Sequence, residues 1–246
     1  MRGGFEYGRL RDRAKCNPHS GRDLTAMRWT ATAQLAVAAG LLAPVTASAQ
    51  LEIAPQIGLY VPSGSLIKQG SPSNPSTQLE KRPEGSILLG VRALFWATKR
   101  LGVVAGVSFS PSLVAVTDSV GTTDQTGGVL LAHSQLLVVL TSDRAPWFAH
   151  VGLGAGVVRR SGAPWQYASG ATAPAFVVSL GLGTSLSWDY KGSGVVKPSE
   201  RVTKLRLEVA DYISRAQFDQ GLPTQTTALT HHDFTGSLMF CFPVGR

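Results

Sequence analysis

The chain has 246 residues and a formal net charge of +8, with 43% hydrophobic but only 15% charged residues. Soluble domains carry nearer ~25% charged residues, so the composition is poor in the groups that keep an ordinary surface wet. No apolar run reaches the ~20 residues of a membrane helix, which excludes helical spans. The apolar residues must then be spread over alternate positions.

Residues 35–45 form the longest helix-like apolar stretch, preceded by Met27 and Arg28 and followed by Ala47-Ser48-Ala49-Gln50. A basic start, a short apolar stretch and a small-x-small site make a secretory signal peptide. Residues 1–49 are therefore read as a lead and signal peptide, with cleavage after Ala49. Met27 reads as a better start than Met1, because residues 1–26 are charged and patternless. Residues 1–49 hold seven basic and three acidic side chains of the 23 and 15 in the chain. The mature part keeps 16 and 12, a net charge of +4. These cations are scattered, without the clusters that track a phosphate backbone, so no nucleic-acid partner is expected. Cys16 leaves with the presequence, and Cys241 alone cannot form an internal disulfide.

From Leu51 onward the chain alternates with period two. In the first segment Leu51, Ile53, Ile57, Leu59 and Val61 oppose Glu52, Ala54, Gln56, Gly58 and Tyr60. In the second, Ile87, Leu89, Val91, Ala93 and Phe95 oppose Ser86, Gly90 and Arg92, with Leu88, Leu94 and Trp96 blurring the polar side. The third sets Leu101, Val103, Val107 and Phe109 against Gly102, Gly106, Ser108 and Ser110. The fourth sets Leu130, Leu136, Val138 and Leu140 against His133 and Gln135. The fifth has Trp147, Val151, Leu153 and Val157 against His150, Gly152, Gly154 and Gly156. The sixth has Phe176, Val178, Leu180, Leu182, Leu186 and Trp188 against Ser179, Gly181, Gly183 and Ser185. The seventh sets Leu205, Leu207 and Val209 against Lys204, Arg206, Glu208 and Tyr212. The last sets Phe234, Leu238, Phe240 and Phe242 against Asp233, Thr235, Ser237 and Cys241.

Eight such segments are each long enough to cross a bilayer when tilted, which takes ~9–11 residues. Apolar side chains outward and small polar ones inward are the pattern of a narrow membrane barrel. The expected fold is an all-β, eight-stranded antiparallel transmembrane barrel spanning residues 50–246. Short links fall at 98–100 and 142–146, and long ones at 62–85, 111–127, 161–174 and 214–230. That alternation matches short periplasmic turns and long external loops, although the link at 189–203 is longer than the rule predicts. Tyr60, Trp96, Trp147, Trp188, Tyr190, Tyr212 and Phe242 lie at segment ends, where aromatic girdles are expected.

With its signal peptide, repeated hairpins and ending Phe234-Thr235-Gly236-Ser237-Leu238-Met239-Phe240-Cys241-Phe242, the mature part resembles the small outer-membrane barrels of the OmpA-like and OmpW-like kind. The resemblance implies the outer membrane of a Gram-negative bacterium, a monomer surrounded by lipid, and delivery by periplasmic chaperones. It also implies an assembly signal in Phe234, Leu238, Phe240 and Phe242, similar to the one that the barrel-assembly machinery recognises. Here Pro243-Val244-Gly245-Arg246 follow the closing aromatic.

Three motifs could carry chemistry. Gly152-Leu153-Gly154-Ala155-Gly156 lacks the G-x-G-x-x-G spacing and the following helix of a dinucleotide loop, and reads as small inward positions. His231-His232-Asp233 lacks further metal ligands and reads as a barrel rim. His133 and Ser134 are adjacent on a strand and point to opposite faces, so they do not form a nucleophile–base pair. Catalytic, cofactor and metal sites are accordingly expected to be absent. Glu52, Arg92, Arg206 and Glu208 are predicted inward, where buried charges must pair, as a plug of ion pairs. The expected role is structural, adhesive or that of a narrow, porin-like pore. The alternatives are a lipid-modifying barrel enzyme and a soluble periplasmic lipid-binding β-sandwich. Sequencing the N-terminus of the exported protein should return Gln50 first; a start at or before Arg28 would refute the cleavage site.

Overall fold

The computed structural model describes residues 50–64, 67–69, 79–118, 120–141, 147–165, 169–186, 202–216 and 229–244. The lead and signal peptide, Trp188 and Tyr190 lie outside them, as does most of the link at 189–203. Ten strands are present among the described residues: β1 Gln50–Pro62, β2 Ile67–Gln69, β3 Leu79–Pro83, β4 Ser86–Trp96, β5 Leu101–Thr117, β6 Thr122–Val139, β7 Trp147–Gly162, β8 Thr172–Ser185, β9 Lys204–Ala216 and β10 Leu229–Val244. Every pairing is antiparallel.

Eight of these strands close on themselves in the order β1-β4-β5-β6-β7-β8-β9-β10, with β10 returning to β1. A closed ring leaves no second sheet to pack against, so the sandwich alternative is set aside. Following hydrogen-bonded partners once around gives the stagger. The path runs from Glu52 through Leu94, Val104, Gln135, Gly154, Val177, Tyr212 and Asp233 to Pro62, ten residues further along β1. Ten steps of strand rise over eight strand spacings tilt the strands by about 40° to the ring axis. The β1–β10 ladder passes from Ile53–Phe242 to Gln56–Met239. It is interrupted at Pro55, which has no N–H to donate.

The alternation sorts the faces as period two requires. Leu59 is 60% exposed, Leu153 55% and Leu182 51%, whereas Tyr60, Leu88 and Trp96 are fully buried. The interior is less polar than the small-residue pattern predicts. Leu94, Trp96, Val104, Leu137, Phe148 and Met239 pack together toward the end where β1 begins. A second cluster, with Tyr60, Leu88, Val129, Leu131, Val158 and Val177, lies toward the opposite end. The residues that blur the second segment are therefore core. Tyr60, Trp96 and Tyr212 point into this core, which corrects their assignment to aromatic girdles. Trp147 and Phe242 face outward, 49% and 47% exposed.

The long links are more structured than their composition suggests. β5 and β6 run on as a hairpin that pairs Thr117 with Thr122, so the loop expected at 111–127 shrinks to a turn. Asp118 closes it by accepting from the backbone N–H groups of Val120 and Gly121. β3 pairs with the extended part of β5, and β2 with β3, within the link expected at 62–85. The link at 161–174 contains short 3-10 turns at Ala163–Trp165 and Ser169–Ala171.

Glycines set the tightest approaches in the wall. A Cβ at Gly154 would lie 2.0 Å from the Ser134 carbonyl oxygen on the neighbouring strand, whereas one at Gly236 would meet nothing within 4 Å. Gly154→Ala should therefore cost ~1–3 kcal/mol, the usual range for overpacking, and Gly236→Ala should be close to neutral. Urea unfolding of the two refolded variants checks this; equal stabilities would contradict the packing described.

Candidate functional site

The only concentration of ionisable groups away from solvent among the described residues is the ring interior. It is positioned by the pleat: residues two apart on one strand share the inner face, and the tilted ladder brings distant segments level. Glu52 on β1 and Lys204 on β9, 152 residues apart, form an ion pair in which both side chains are fully buried. Arg92 on β4 is paired with Glu208 on β9. The second carboxylate oxygen of Glu208 lies 3.1 Å from His150 Nε2, and that nitrogen is 3.0 Å from Arg206 Nη2. The Arg206 guanidinium also rests 5.7 Å from the Trp96 ring centre and 5.6 Å from that of Phe148.

Toward the longer hairpins lies a second cluster. Asp233 accepts from Tyr60 Oη at 2.5 Å and from Arg160 Nη2 at 2.7 Å. Between the two, the Tyr212 hydroxyl meets His133 Nδ1 at 2.7 Å, Ser179 Oγ donates to Gln135 Oε1 at 3.1 Å, and Gln56 donates to Ser108. Polar contacts thus line the interior alongside the two apolar clusters.

The four charges predicted inward are all inside, but they are not one mutual set. Arg92 joins Glu208, while the partner of Glu52 is Lys204 and not either arginine. Lys204 has the inward parity in the sequence, so that partner was within reach; its match with Glu52 depends on the ring's stagger. The alternation gives Tyr60 and Asp233 the inward parity, but Arg160 follows the exposed Arg159 beyond the end of its expected segment, so the Tyr60–Asp233–Arg160 cluster is not visible in the sequence.

The motif readings resolve similarly. Gly152, Gly154 and Gly156 are wall positions opposite Leu137, Gln135 and His133. His133 is buried and Ser134 exposed, on opposite faces. His231 and Asp233 point inward. His232 lies on the outer face, with Nδ1 2.7 Å from Asp211 Oδ2 and its ring stacked on Phe234. No group of three or more potential metal ligands occurs among the described residues. Phe234, Phe240 and Phe242 are exposed on the outer face of β10, with Leu238 half-buried on the same side.

A buried pair that loses one partner leaves the other charged and unsolvated, at a cost of ~3–5 kcal/mol. Glu208→Ala should lower stability by that amount, because Arg92 is left without its carboxylate. The same change should open the filled interior. The unmutated ring is expected to conduct ions poorly in planar bilayers, and Glu208→Ala to conduct better. A large, steady conductance before mutation would refute the plug.

No model of a known protein family matches the chain, and a search of curated proteins finds no match. Among solved structures, the chain is similar to Ail, the attachment invasion locus protein of Yersinia pestis, solved in complex with the heparin analogue sucrose octasulfate. Identity is 9% and the TM-score 0.36, over 78% of this chain and 99% of that one.

Proposed function

We propose that this protein is a non-enzymatic outer-membrane β-barrel, exported by a cleaved signal peptide, with a filled interior and a structural or adhesive role. The observation that carries the reading is the closed ring whose outer face is apolar on all eight strands. Leu51, Ile57, Leu89, Phe109, Leu136, Leu153, Leu180, Val209 and Phe240 are each at least 40% exposed. Exposed apolar side chains on every strand of the ring mark a face that contacts a membrane or a partner. A ring without free edges is what a bilayer admits, since closure pairs the wall's backbone groups strand to strand apart from the interruption at Pro55. Strands tilted by about 40° rise ~2.5 Å per residue along the axis, so ten residues match an apolar band ~25 Å tall.

The ion-paired interior favours a scaffold over an open pore. The links at 62–85 and 111–127 would face outward as the binding or adhesive surface, with lipid surrounding the wall and the barrel acting as a monomer. Phe234, Leu238, Phe240 and Phe242 would be the part of β10 read by the barrel-assembly machinery. Membrane fractionation with a heat-modifiability gel tests the assignment, and recovery as a soluble periplasmic protein would overturn it. Within a bilayer, Leu182→Arg should cost ~2–4 kcal/mol of folding stability. Equal folding of this variant and the parent in liposomes would mean that Leu182 does not face lipid.

A further inference from the structure

Seven buried side chains that are charged near neutral pH face the ring interior among the described residues. They are the cations Arg92, Arg160, Lys204 and Arg206, and the anions Glu52, Glu208 and Asp233. Each carboxylate has a cation in direct contact: Lys204 on Glu52, Arg92 on Glu208 and Arg160 on Asp233. Arg206 is the cation left over. The three buried histidines can add positive charge but cannot remove it, and an arginine does not shed its proton in a protein.

The surroundings of Arg206 point to what completes it. Its side chain is 1% exposed, and its contacts are His150, two aromatic faces and the Cys241 thiol. Glu208, two residues along the same face, is already held by Arg92 and His150. Arg206 Nε has no hydrogen-bond partner, and neither has the indole Nε1 of the fully buried Trp96 beneath it. Gln50 pairs directly with Trp96 across β1 and β4, and both its buried side-chain Nε2 and Oε1 are unpaired, so the amide can turn its N–H groups toward an acceptor there. Arginine and indole nitrogens only donate, so the missing group is an acceptor, and the surplus charge makes it an anion. An eight-stranded ring is filled by its own side chains, which favours a monatomic ion over an organic one.

We infer that the end of the ring where β1 begins holds one halide-class anion, chloride under physiological conditions, between Arg206 Nε and Trp96 Nε1. The inference concerns the ring interior alone and does not depend on the membrane in which the ring resides.

The test uses the refolded protein in detergent micelles, with thermal unfolding measured in chloride, bromide or gluconate at fixed ionic strength and 35Cl line broadening as a second readout. The expected result is a saturable rise in the unfolding midpoint with chloride and bromide, and excess line broadening that bromide reverses. Arg206→Met should abolish both. Trp96→Phe, which keeps the ring and removes one donor, should weaken halide binding about tenfold, the effect of one charge-assisted hydrogen bond. Absence of both halide effects in the unmutated protein overturns the site. An undiminished response in Arg206→Met, or in Trp96→Phe should the first variant not fold, overturns its assignment to these residues. Conductance in planar bilayers, measured separately, reports on the plug and not on this site.

Discussion

The pairing of β1 with β10 is the constraint on which the rest of the structure depends. An open sheet of eight strands would expose two long edges and could bury only one face against something else. Joining Tyr60 to Thr235 and Leu51 to Val244 removes both edges and separates an inside from an outside. Once that separation exists, period-two alternation sends residues such as Leu153, Leu180 and Leu182 outward and Glu52, Arg92, Lys204 and Glu208 inward. The ladder is interrupted at Pro55, and the remaining β1–β10 pairs carry the closure.

Closure with a ten-residue stagger also decides who meets whom in the interior. Each strand contributes inward side chains at fixed two-residue spacing, but the tilt slides neighbouring strands past one another. Lys204 thereby reaches Glu52, Arg92 reaches Glu208 and Arg160 reaches Asp233. These pairs are buried enough that removing one partner is expensive, yet their formation need not add net stability over a well-packed apolar core. A one-residue slip of β1, β4, β7, β9 or β10 would turn inward charges to the apolar outer face, so these charges oppose mispairing.

The interior is layered: two apolar clusters enclose a polar middle, and the charged groups cluster near each end. The outer wall has one polar departure that stands out, the Asp211–His232 contact. It lies where β9 and β10 approach the longer links, and the ring of Phe234 stacks on the imidazole. Outer and inner faces of the same two strands thus carry different chemistry, with Asp211 and His232 outside and Tyr212 and Asp233 inside.

Much of this was legible in the sequence because the face of a strand residue is a local property. The alternation of Leu180 and Leu182 with Ser179 and Gly181 is enough to say which point outward, and β4 begins and ends at the residues where its pattern does. Inward placement of Glu52, Arg92, Arg206 and Glu208 follows from the same parity. Contacts across the ring are not local. The pairing of Glu52 with Lys204 depends on the register of every ladder between β1 and β9, and no short window of sequence contains that sum. The same limit explains Tyr60, Trp96 and Tyr212: a ring at a strand end reads equally as a girdle or a core residue until closure fixes which side is inside. The extension of β5 and β6 beyond Ser110 depends on their pairing with each other and with β3, which supplies hydrogen bonds to a polar, glycine-rich stretch that alone reads as a loop. Sequence by itself determined the faces of the eight ring strands and the inward parity of Glu52, Arg92, Arg206 and Glu208, because these follow from period two; tertiary structure decided the added strands β2 and β3, the partners, the layers and the surplus cation at Arg206, because these arise only when eight staggered strands close.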